Sequence, residues 1–262
     1  MTPPATTADA NGRLWGQSAQ DWAEIQEHMC RPVYEEALDR LSVGRGTHYL
    51  DAGCGSGLAA QLASDYGARV SGLDAAENLL AIARARVPQG DFRQAPLEQM
   101  PFAGASFEAV TGFNSFQYAA SPVAALAEAK RVTTPGGLVL IMTWGNPAGM
   151  EAASLVAALK PLLPSPPSGV TFALSDESAL KALATSANLA PIDIFDVDSP
   201  WRYANLDEAL RGLRSSGVAA RAIEHTSAES VDAAHTTALT PFRQLDGSYL
   251  IGATFRCLIA RA

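Results

Sequence analysis

Three glycines spaced by small residues, Gly53-Cys54-Gly55-Ser56-Gly57, follow an apolar run that ends in an acid, Tyr49-Leu50-Asp51-Ala52. A helical pattern begins directly afterwards at Leu58. This order reads as strand, tight turn, helix. Glycine reaches positive φ and lets a ligand approach the backbone to contact distance. The helix that follows aims its first unpaired N–H groups at whatever lies on the turn. A nucleotide-like ligand is therefore expected there, and the spacing narrows which one. A dinucleotide fingerprint is G-x-G-x-x-G; here the third glycine comes one residue early, and Leu58 stands where that fingerprint needs Gly or Ala. The phosphate-loop pattern is absent. Asp51 would repel a pyrophosphate but suits an ammonium group. Asp74 closes the next apolar run, Val70-Ser71-Gly72-Leu73-Asp74. It lies about 20 residues beyond the first glycine, where the second strand of a βαβ unit presents a carboxylate to ribose hydroxyls. A carboxylate can accept both hydrogen bonds of a vicinal diol. An adenosine with an amino-acid tail fits these features better than a dinucleotide.

Four stretches now stand in order: Leu50-Asp51-Ala52-Gly53-Cys54-Gly55-Ser56-Gly57; Gly72-Leu73-Asp74; Leu97-Glu98-Gln99-Met100-Pro101-Phe102; and Arg131-Val132-Thr133-Thr134-Pro135-Gly136-Gly137. Together they resemble the successive motifs of class I S-adenosylmethionine-dependent methyltransferases, above all the small-molecule branch that includes the ubiquinone/menaquinone-type enzymes. The resemblance covers roughly residues 45–145. It implies S-adenosyl-L-methionine as cofactor and an α/β, Rossmann-like fold. That fold has a seven-stranded, mostly parallel sheet, helices on both faces and an antiparallel last strand. It further implies an N-terminal helical lid and a helical insertion after strand 5. Carried over residue by residue, it places Asp51, Ala52, Gly53, Cys54, Gly55 and Gly57 at the cofactor turn, with Asp74 and Ala75 at the ribose. Leu97 and Glu98 fall along the adenine edge, and Phe113 and Asn114 at the methionine end. A backbone N–H at Leu97 or Glu98 could serve the adenine ring nitrogen, and the Glu98 carboxylate its amine. Ala95-Pro96 departs from the Gly-Asp common in the family, so one carboxylate is missing.

The elements that must position these residues follow from periodicity. Residues 1–12 are polar and Pro/Thr/Ala-rich and read as a disordered tail. Residues 13–262 read as one methyltransferase domain. Within it, 13–44 form the N-terminal lid helices, 45–145 the cofactor-binding core, and 146–175 and 200–245 helical caps. Trp15, Ala19, Trp22 and Ile25 recur at helical spacing, and Arg31-Pro32 marks a break before Val33, Ala37, Leu38 and Leu41. Strands are expected at 47–52, 69–74, 91–94, 107–113, 138–144 and 192–197. The alternating run 248–260 supplies the last, antiparallel strand. Helices are expected at 58–66, 77–87, 122–132, 150–163, 175–187, 205–214 and 228–239. His48 is anomalous in an otherwise apolar strand. His28 and Cys30 show no sequence partner and read as structural.

For the acceptor pocket the expected residues are Trp15, Gln17, Trp22, Phe116, Gln117 and Trp144. Two aromatics, an Asn and a Gln just after strand 4 suit a planar or polar acceptor. Phe116 and Tyr118 fit packing beneath the next helix equally well. The expected chemistry is in-line displacement of the methyl group from the cofactor's sulfonium, with the protein aligning the acceptor and excluding water. No catalytic base and no metal-ligand spacing is visible. His225 and His235 each have an acid nearby but read as surface histidines. Two other readings stay open: a nicotinamide-dependent Rossmann oxidoreductase, disfavoured by the early third glycine and Asp51, and a non-catalytic protein that binds the same cofactor.

Composition sets the outer limits. The 262 residues are 48% hydrophobic and 18% charged, with net charge −8 and no basic block, so a nucleic-acid partner is not expected. Three widely spaced cysteines point to a reducing compartment rather than a disulfide framework. No signal peptide or bilayer-spanning run is visible. The expectation is a cytoplasmic monomer or homodimer acting on a small-molecule methyl acceptor, with no membrane partner.

Overall fold

The structure is a computed structural model that describes residues 6–164 and 173–262. The chain starts with α1 (Thr7–Gly16), a short turn α2 (Ala19–Asp21), a π-helical turn (Trp22–Gln26), a 3₁₀ turn (Glu27–Cys30) and α3 (Arg31–Arg40). The core then alternates: β1 (His48–Ala52), α4 (Leu58–Asp65), β2 (Arg69–Asp74), α5 (Glu77–Arg86), β3 (Asp91–Gln94), β4 (Phe107–Phe113), α6 (Pro122–Val132) and β5 (Thr133–Trp144). The remainder comprises α7 (Ala153–Ala157), α8 (Glu177–Ser186), β6 (Ala190–Asp198), β7 (Trp201–Tyr203), α9 (Leu206–Arg214), α10 (Gly217–His225), α11 (Ala228–Leu239), β8 (Tyr249–Ile251) and β9 (Thr254–Arg261).

Seven strands form one sheet in the order β3-β2-β1-β4-β5-β9-β6, with β9 antiparallel to both neighbours. Both faces are buried, and the pleat divides the strand residues between two cores. Tyr49, Ala109, Leu140 and Met142 pack into the core that holds α3, α4 and α5. Leu50, Val110, Val139 and Ile141, one step away in each strand, pack into the core with α6 and α8. The expected fold class is thus the observed one. Strand order reverses between β1 and β4, and in open α/β sheets ligands bind in the crevice beyond the carboxyl ends of such a pair.

Several boundaries differ from the sequence reading. The chain is already helical from Thr7, inside the stretch read as a disordered tail. Thr6 accepts from the Asp9 N–H while Asp9 accepts from the Thr6 N–H, a reciprocal cap that satisfies two orphan donors. The first five residues, and the Pro166-Pro167 end of the expected insertion, lie outside the described residues. The helix expected over 150–163 is only α7, flanked by 3₁₀ turns at Pro147–Gly149 and Lys160–Leu162. α10 was not anticipated. The last expected strand divides into β8, paired with β7 in a separate two-stranded sheet, and β9. Between them the Gly252 N–H donates to Glu151 Oε2 at 2.7 Å, so a side chain takes the backbone group that a continuous ladder would use.

Candidate active site

At the switch point, β1 runs into the glycine turn. Gly53, Gly55 and Gly57 have φ of +80°, +54° and +84°, which L side chains rarely adopt. Each also faces a close neighbour. A side chain on Gly53 would begin 2.4 Å from Ser115 Cβ, and one on Gly57 would begin 2.8 Å from Ala83 Cβ. The third glycine therefore serves the packing of α4 on α5 rather than a ligand. Asp74 ends β2 with both oxygens held: Oδ2 accepts from the Gly55 N–H at 2.9 Å and Oδ1 from the Ala76 N–H at 2.8 Å. Burial raises its pKa above the ordinary carboxylate value, and these N–H groups oppose the rise.

The N-terminus of α4 is already taken by the protein itself. Glu27, 2% exposed, accepts from Ser56 Oγ at 2.6 Å and from the Leu58 N–H at 3.3 Å, and pairs with Arg86. Arg86 also donates to Ala23 O at 2.8 Å and Ser56 O at 3.0 Å. The helix end that the sequence reading offered to the ligand is thus capped by a carboxylate from the N-terminal segment. Sequence reasoning missed Glu27 and Arg86 because they lie 59 residues apart and meet only in the fold.

The π-helical turn aligns Trp22 with Glu27, whose N–H donates to the Trp22 carbonyl. Both side chains reach Gly55: the position of a Gly55 Cβ is 3.4 Å from Trp22 Nε1 and 3.5 Å from Glu27 Oε1. Trp22 Nε1 is buried and has no hydrogen-bond partner. Trp15 meets Trp22 edge-on at 5.0 Å and Tyr118 at 5.7 Å between ring centroids. α1 is fastened in place. Asn11 Nδ2 donates to Tyr118 O at 2.9 Å, and Asn78 Nδ2 donates to Gly16 O at 2.9 Å. Gly217 of α10 lies so close to Trp15 that a Cβ there would be 2.5 Å from its Nε1.

These elements line a cleft open to solvent, about 910 Å³ with the open space at its mouth included. Its wall contains Gly53, Gly55, Asp74, Ala75, Leu97, Glu98, Phe113 and Asn114 of the expected cofactor set. Asp51, Ala52, Cys54 and Gly57 are not in the wall. Ala52 and Cys54 are buried behind it, and Asp51, 2% exposed, lies behind the turn and accepts from Thr111 Oγ1 at 3.3 Å. Burial, then the negative charges of Glu27 and Asp74, push the Asp51 carboxyl up to about 8. Glu98 Oε1 accepts from the Ser121 N–H at 3.1 Å, so it also supports the start of α6. Asn114 sits at φ +53°, its Oδ1 accepting from Gln117 Nε2.

Of the expected acceptor-pocket residues, Trp15 and Trp22 line the cavity. The other four do not. Phe116 is 1% exposed, pressed against Gly112 in the α6 core, so its packing role wins. Trp144 stacks on Phe255 at 5.4 Å in the opposite core. Gln17 is exposed and donates to Glu224 at 2.6 Å, and Gln117 only orients Asn114. Cys30, read as structural, lines the cavity together with Tyr34 and Met142. Burial pushes the Cys30 thiol up to about 12 and the Tyr34 hydroxyl well above its usual value, so both stay protonated. His235 is buried, not at the surface, and is absent from the wall; burial and the nearby Arg214 lower its pKa to about 4. His48 is partly exposed beside Arg69 and plays no part in the site.

The wall suits a nucleoside with an amino-acid tail. It offers a ribose-edge carboxylate at Asp74 and side-chain-free backbone at Gly53 and Gly55. Comparison with known proteins agrees. A methyltransferase domain family matches residues 50–141. The chain is 33% identical over 246 residues to a ubiquinone biosynthesis O-methyltransferase of Dinoroseobacter shibae, covering 82% of this chain and 98% of that protein. It is also 33% identical over 141 residues to a malonyl-[acyl-carrier protein] O-methyltransferase of Erwinia pyrifoliae, covering 54% and 53% of the two chains. Solved structures with the same fold include the cyclase SpnF (TM-score 0.59, 18% identity, 99% of this chain and 97% of that one). A geranyl diphosphate methyltransferase also shares it (TM-score 0.51, 18% identity, 87% and 76%). The chain belongs to the S-adenosylmethionine-dependent methyltransferases. It is an enzyme that uses S-adenosylmethionine to methylate a small organic acceptor.

Proposed function

We propose that the acceptor is an organic molecule with a planar apolar body and no carboxylate, methylated on a hydroxyl oxygen. The observation that carries this reading is the charge of the cavity: its described wall contains Asp74 and Glu98 but no Lys, Arg or His. A carboxylate acceptor would enter against two acids with no cation to receive it. Cys30, Tyr34, Phe113 and Met142 offer it an apolar surface instead. The hydroxyl specificity follows the ubiquinone biosynthesis O-methyltransferase, matched over nearly its whole length, rather than the malonyl enzyme, whose acceptor group offers a carboxylate oxygen.

In this reading Asp74 and Ala75 hold the ribose, Leu97 and Glu98 the adenine, and Gly53, Gly55 and Asn114 the amino-acid end. Asp51 acts from behind the turn on the ligand's ammonium. The bound cofactor supplies the activated methyl group. The protein's own contribution is alignment and exclusion of water beneath α1. Cys30 and Tyr34 stay protonated, so they can donate hydrogen bonds to the acceptor but cannot deprotonate it. The acceptor's hydroxyl must therefore be acidic enough to ionise by itself, as a phenol's or enol's is. Among the described residues no helix is long and apolar enough to cross a membrane, and Cys30, Cys54 and Cys257 are free thiols. We place the enzyme in a reducing compartment, the cytoplasm, as a monomer or homodimer.

The test is methyl transfer from labelled S-adenosylmethionine to two panels of acceptors, substituted phenols and enols against aliphatic carboxylates. Turnover in the first panel, rising with pH along each acceptor's own ionisation, is expected. Preference for the carboxylates would overturn the reading.

A further inference from the structure

The acceptor hydroxyl of the proposed reaction ionises before it takes the methyl group, and the oxygen it leaves needs hydrogen-bond donors. The described wall of the cleft holds Asp74 and Glu98 but no Lys, Arg or His, so those donors must be neutral. Most of the side-chain donors in the wall are spent or turned away. Ser115 Oγ donates to Ala52 O at 2.6 Å, and Asn11 Nδ2 donates to Tyr118 O at 2.9 Å. Trp15 Nε1 faces Gly217 of α10, and Trp22 Nε1 is a sealed atom. Tyr118 lies towards the adenine end: three residues on, the Ser121 N–H donates to Glu98. Asn114 is assigned above to the amino-acid tail. The wall beside it, formed by Phe113, Met142, Cys30 and Tyr34, keeps two donors, the Tyr34 hydroxyl and the Cys30 thiol.

Of these two the hydroxyl is the stronger donor. Tyr34 belongs to α3, which has Pro32 in its first turn and whose Val33, Ala37 and Leu38 are fully buried, so the core holds its backbone in place. Its ring meets Phe113 at 4.5 Å between centroids, and Phe113 pairs across the sheet with Met142. The hydroxyl is not sealed in the way Trp22 Nε1 and His235 Nδ1 are: 7% of Tyr34 stays exposed, and the residue is part of the cleft wall. Among the described residues no oxygen or nitrogen accepts from it. Its hydrogen-bonding neighbour is the Cys30 thiol, four residues earlier, itself a weak acceptor. Burial first, and then its charged neighbours, Glu27 and Asp51 among them, raise its pKa well above the usual value, so it keeps its proton and stays a donor.

We propose that the Tyr34 hydroxyl donates to the acceptor oxygen and sets that oxygen in line with the methyl group of the cofactor. The inference rests on the acceptor reading above and deepens it: Tyr34 is the residue that tells an oxygen acceptor from an apolar molecule of the same shape. Tyr34 keeps its own proton throughout. The acceptor's proton goes to water on ionisation, the acceptor oxygen forms the new bond to the methyl carbon, and the electron pair of the broken carbon–sulfur bond stays with sulfur. A hydrogen bond from a neutral hydroxyl to an anionic oxygen is short and strong. The contact with Phe113 fixes where the donor sits, which is what alignment requires.

The test is titration of the wild type and Tyr34→Phe, each saturated with the demethylated cofactor, with two probes of one shape. These are 4-nitrophenol above its ionisation and 4-nitrotoluene. Phe keeps the ring against Phe113 and removes only the hydroxyl. The variant is expected to bind 4-nitrophenolate about tenfold more weakly, or about 1.4 kcal/mol, and to lose the shift of its absorption band that an accepted hydrogen bond causes. It should bind 4-nitrotoluene and the demethylated cofactor as well as the wild type does. Unchanged affinity for both probes, or an equal loss for both, would overturn the proposal. Should the variant fail to fold, the wild type carrying 3-fluorotyrosine decides the matter. The chain has six tyrosines, so the Tyr34 fluorine signal is assigned by elimination with variants at the other five. It should shift with 4-nitrophenolate by an amount that 4-nitrotoluene does not reproduce; equal shifts would overturn the hydrogen bond. A wild type that binds the cofactor but neither probe would instead remove the acceptor reading, and this proposal with it.

Discussion

The proposed action of Asp51 on the ligand's ammonium predicts a pH dependence of cofactor binding whose size follows from its surroundings. It is 2% exposed and faces negative charge on two sides, from Glu27 behind the turn and Asp74 at the end of β2. Among the described residues Thr111 Oγ1 alone donates to it, at 3.3 Å, and is itself bonded to the Tyr49 hydroxyl at 2.5 Å. Arg86, the cation at the glycine turn, is paired with Glu27. With its pKa raised to about 8, Asp51 is largely protonated at pH 6 and becomes charged as pH rises. A ligand whose ammonium favours the charged form must first remove that proton. The ionised fraction is about 1% at pH 6 and about 24% at pH 7.5, so the dissociation constant should tighten by roughly 25-fold across this interval. The upper limit of pH 7.5 matters, because the ligand's own α-amino group titrates near pH 8. Calorimetry at these two pH values in buffers of different ionisation enthalpy measures both the affinity and the proton released. Asp51→Asn should flatten the profile. The same steepness in Asp51→Asn, or no pH dependence in the wild type, would refute the reasoning. The stability of the ligand-free protein runs the other way. A carboxyl whose folded pKa lies above its unfolded value stabilises most below the unfolded pKa. That contribution is lost as pH rises towards the folded pKa. Ligand-free melting temperature should therefore fall between about pH 4 and pH 8, less so in Asp51→Asn.

Three further outcomes follow from contacts. Asp74→Ala leaves the Gly55 and Ala76 N–H groups without their acceptor and removes the ribose partner, so cofactor affinity should fall at least about tenfold with the sheet intact by circular dichroism; equal affinity would end the ribose assignment. Arg86→Met strands the buried Glu27 carboxylate and should cost about 3–5 kcal/mol in urea unfolding, with part regained on adding Glu27→Gln; a loss under 1 kcal/mol would mean that water solvates Glu27. Gly217→Ala drives a Cβ to 2.5 Å from Trp15 Nε1 and should displace the helix that roofs the cavity, costing about 1–3 kcal/mol and speeding cofactor dissociation in stopped-flow fluorescence; an unchanged off-rate would show that Trp15 does not hold the roof.

The central half of the molecule was legible because its signals are local. Apolar runs ending in Asp51 and Asp74, with glycines at positive φ between strand and helix, are written in consecutive residues, and the sheet order follows from the alternation they punctuate. Pocket residues were harder to read, because one residue of register decides which core a side chain enters. Phe116 and Tyr118 are two apart in a 3₁₀ turn, yet the first is buried under α6 and the second lines the cavity. Trp144 closes β5 facing Trp201 and Phe255, neither of which its own sequence neighbourhood reveals. The start of α1 could have been found from Thr6 and Asp9, a capping pair three residues apart, which the Pro/Thr/Ala-rich composition obscured. Cys30 and Tyr34 lie four residues apart and both line the cavity, but nothing in their sequence separates a core face from a cavity face.

The N-terminal segment does more than cover the site. Glu27 caps α4, Arg86 ties Glu27 and Ala23 to the glycine turn, and Trp22 sits against Gly55 from the same π-helical turn. A simple lid could swing away and leave an intact core behind. Here swinging away would unpair the half-buried Arg86 from the buried Glu27 and leave the first turn of α4 uncapped. An opening that spares these contacts is expected to be confined to what lies before Trp22, which hydrogen exchange of α1 with and without the cofactor would check. α1 is held by the hydrogen bonds of Asn11 and Asn78, the ion pair of Arg13 with Glu224, the close approach of Gly12 to Ala75, and the packing of Trp15 on Gly217, Trp22 and Tyr118. The division falls at the irregular turn: residues after it are tied into the glycine turn and α4, and α1 before it is held by its own separate contacts.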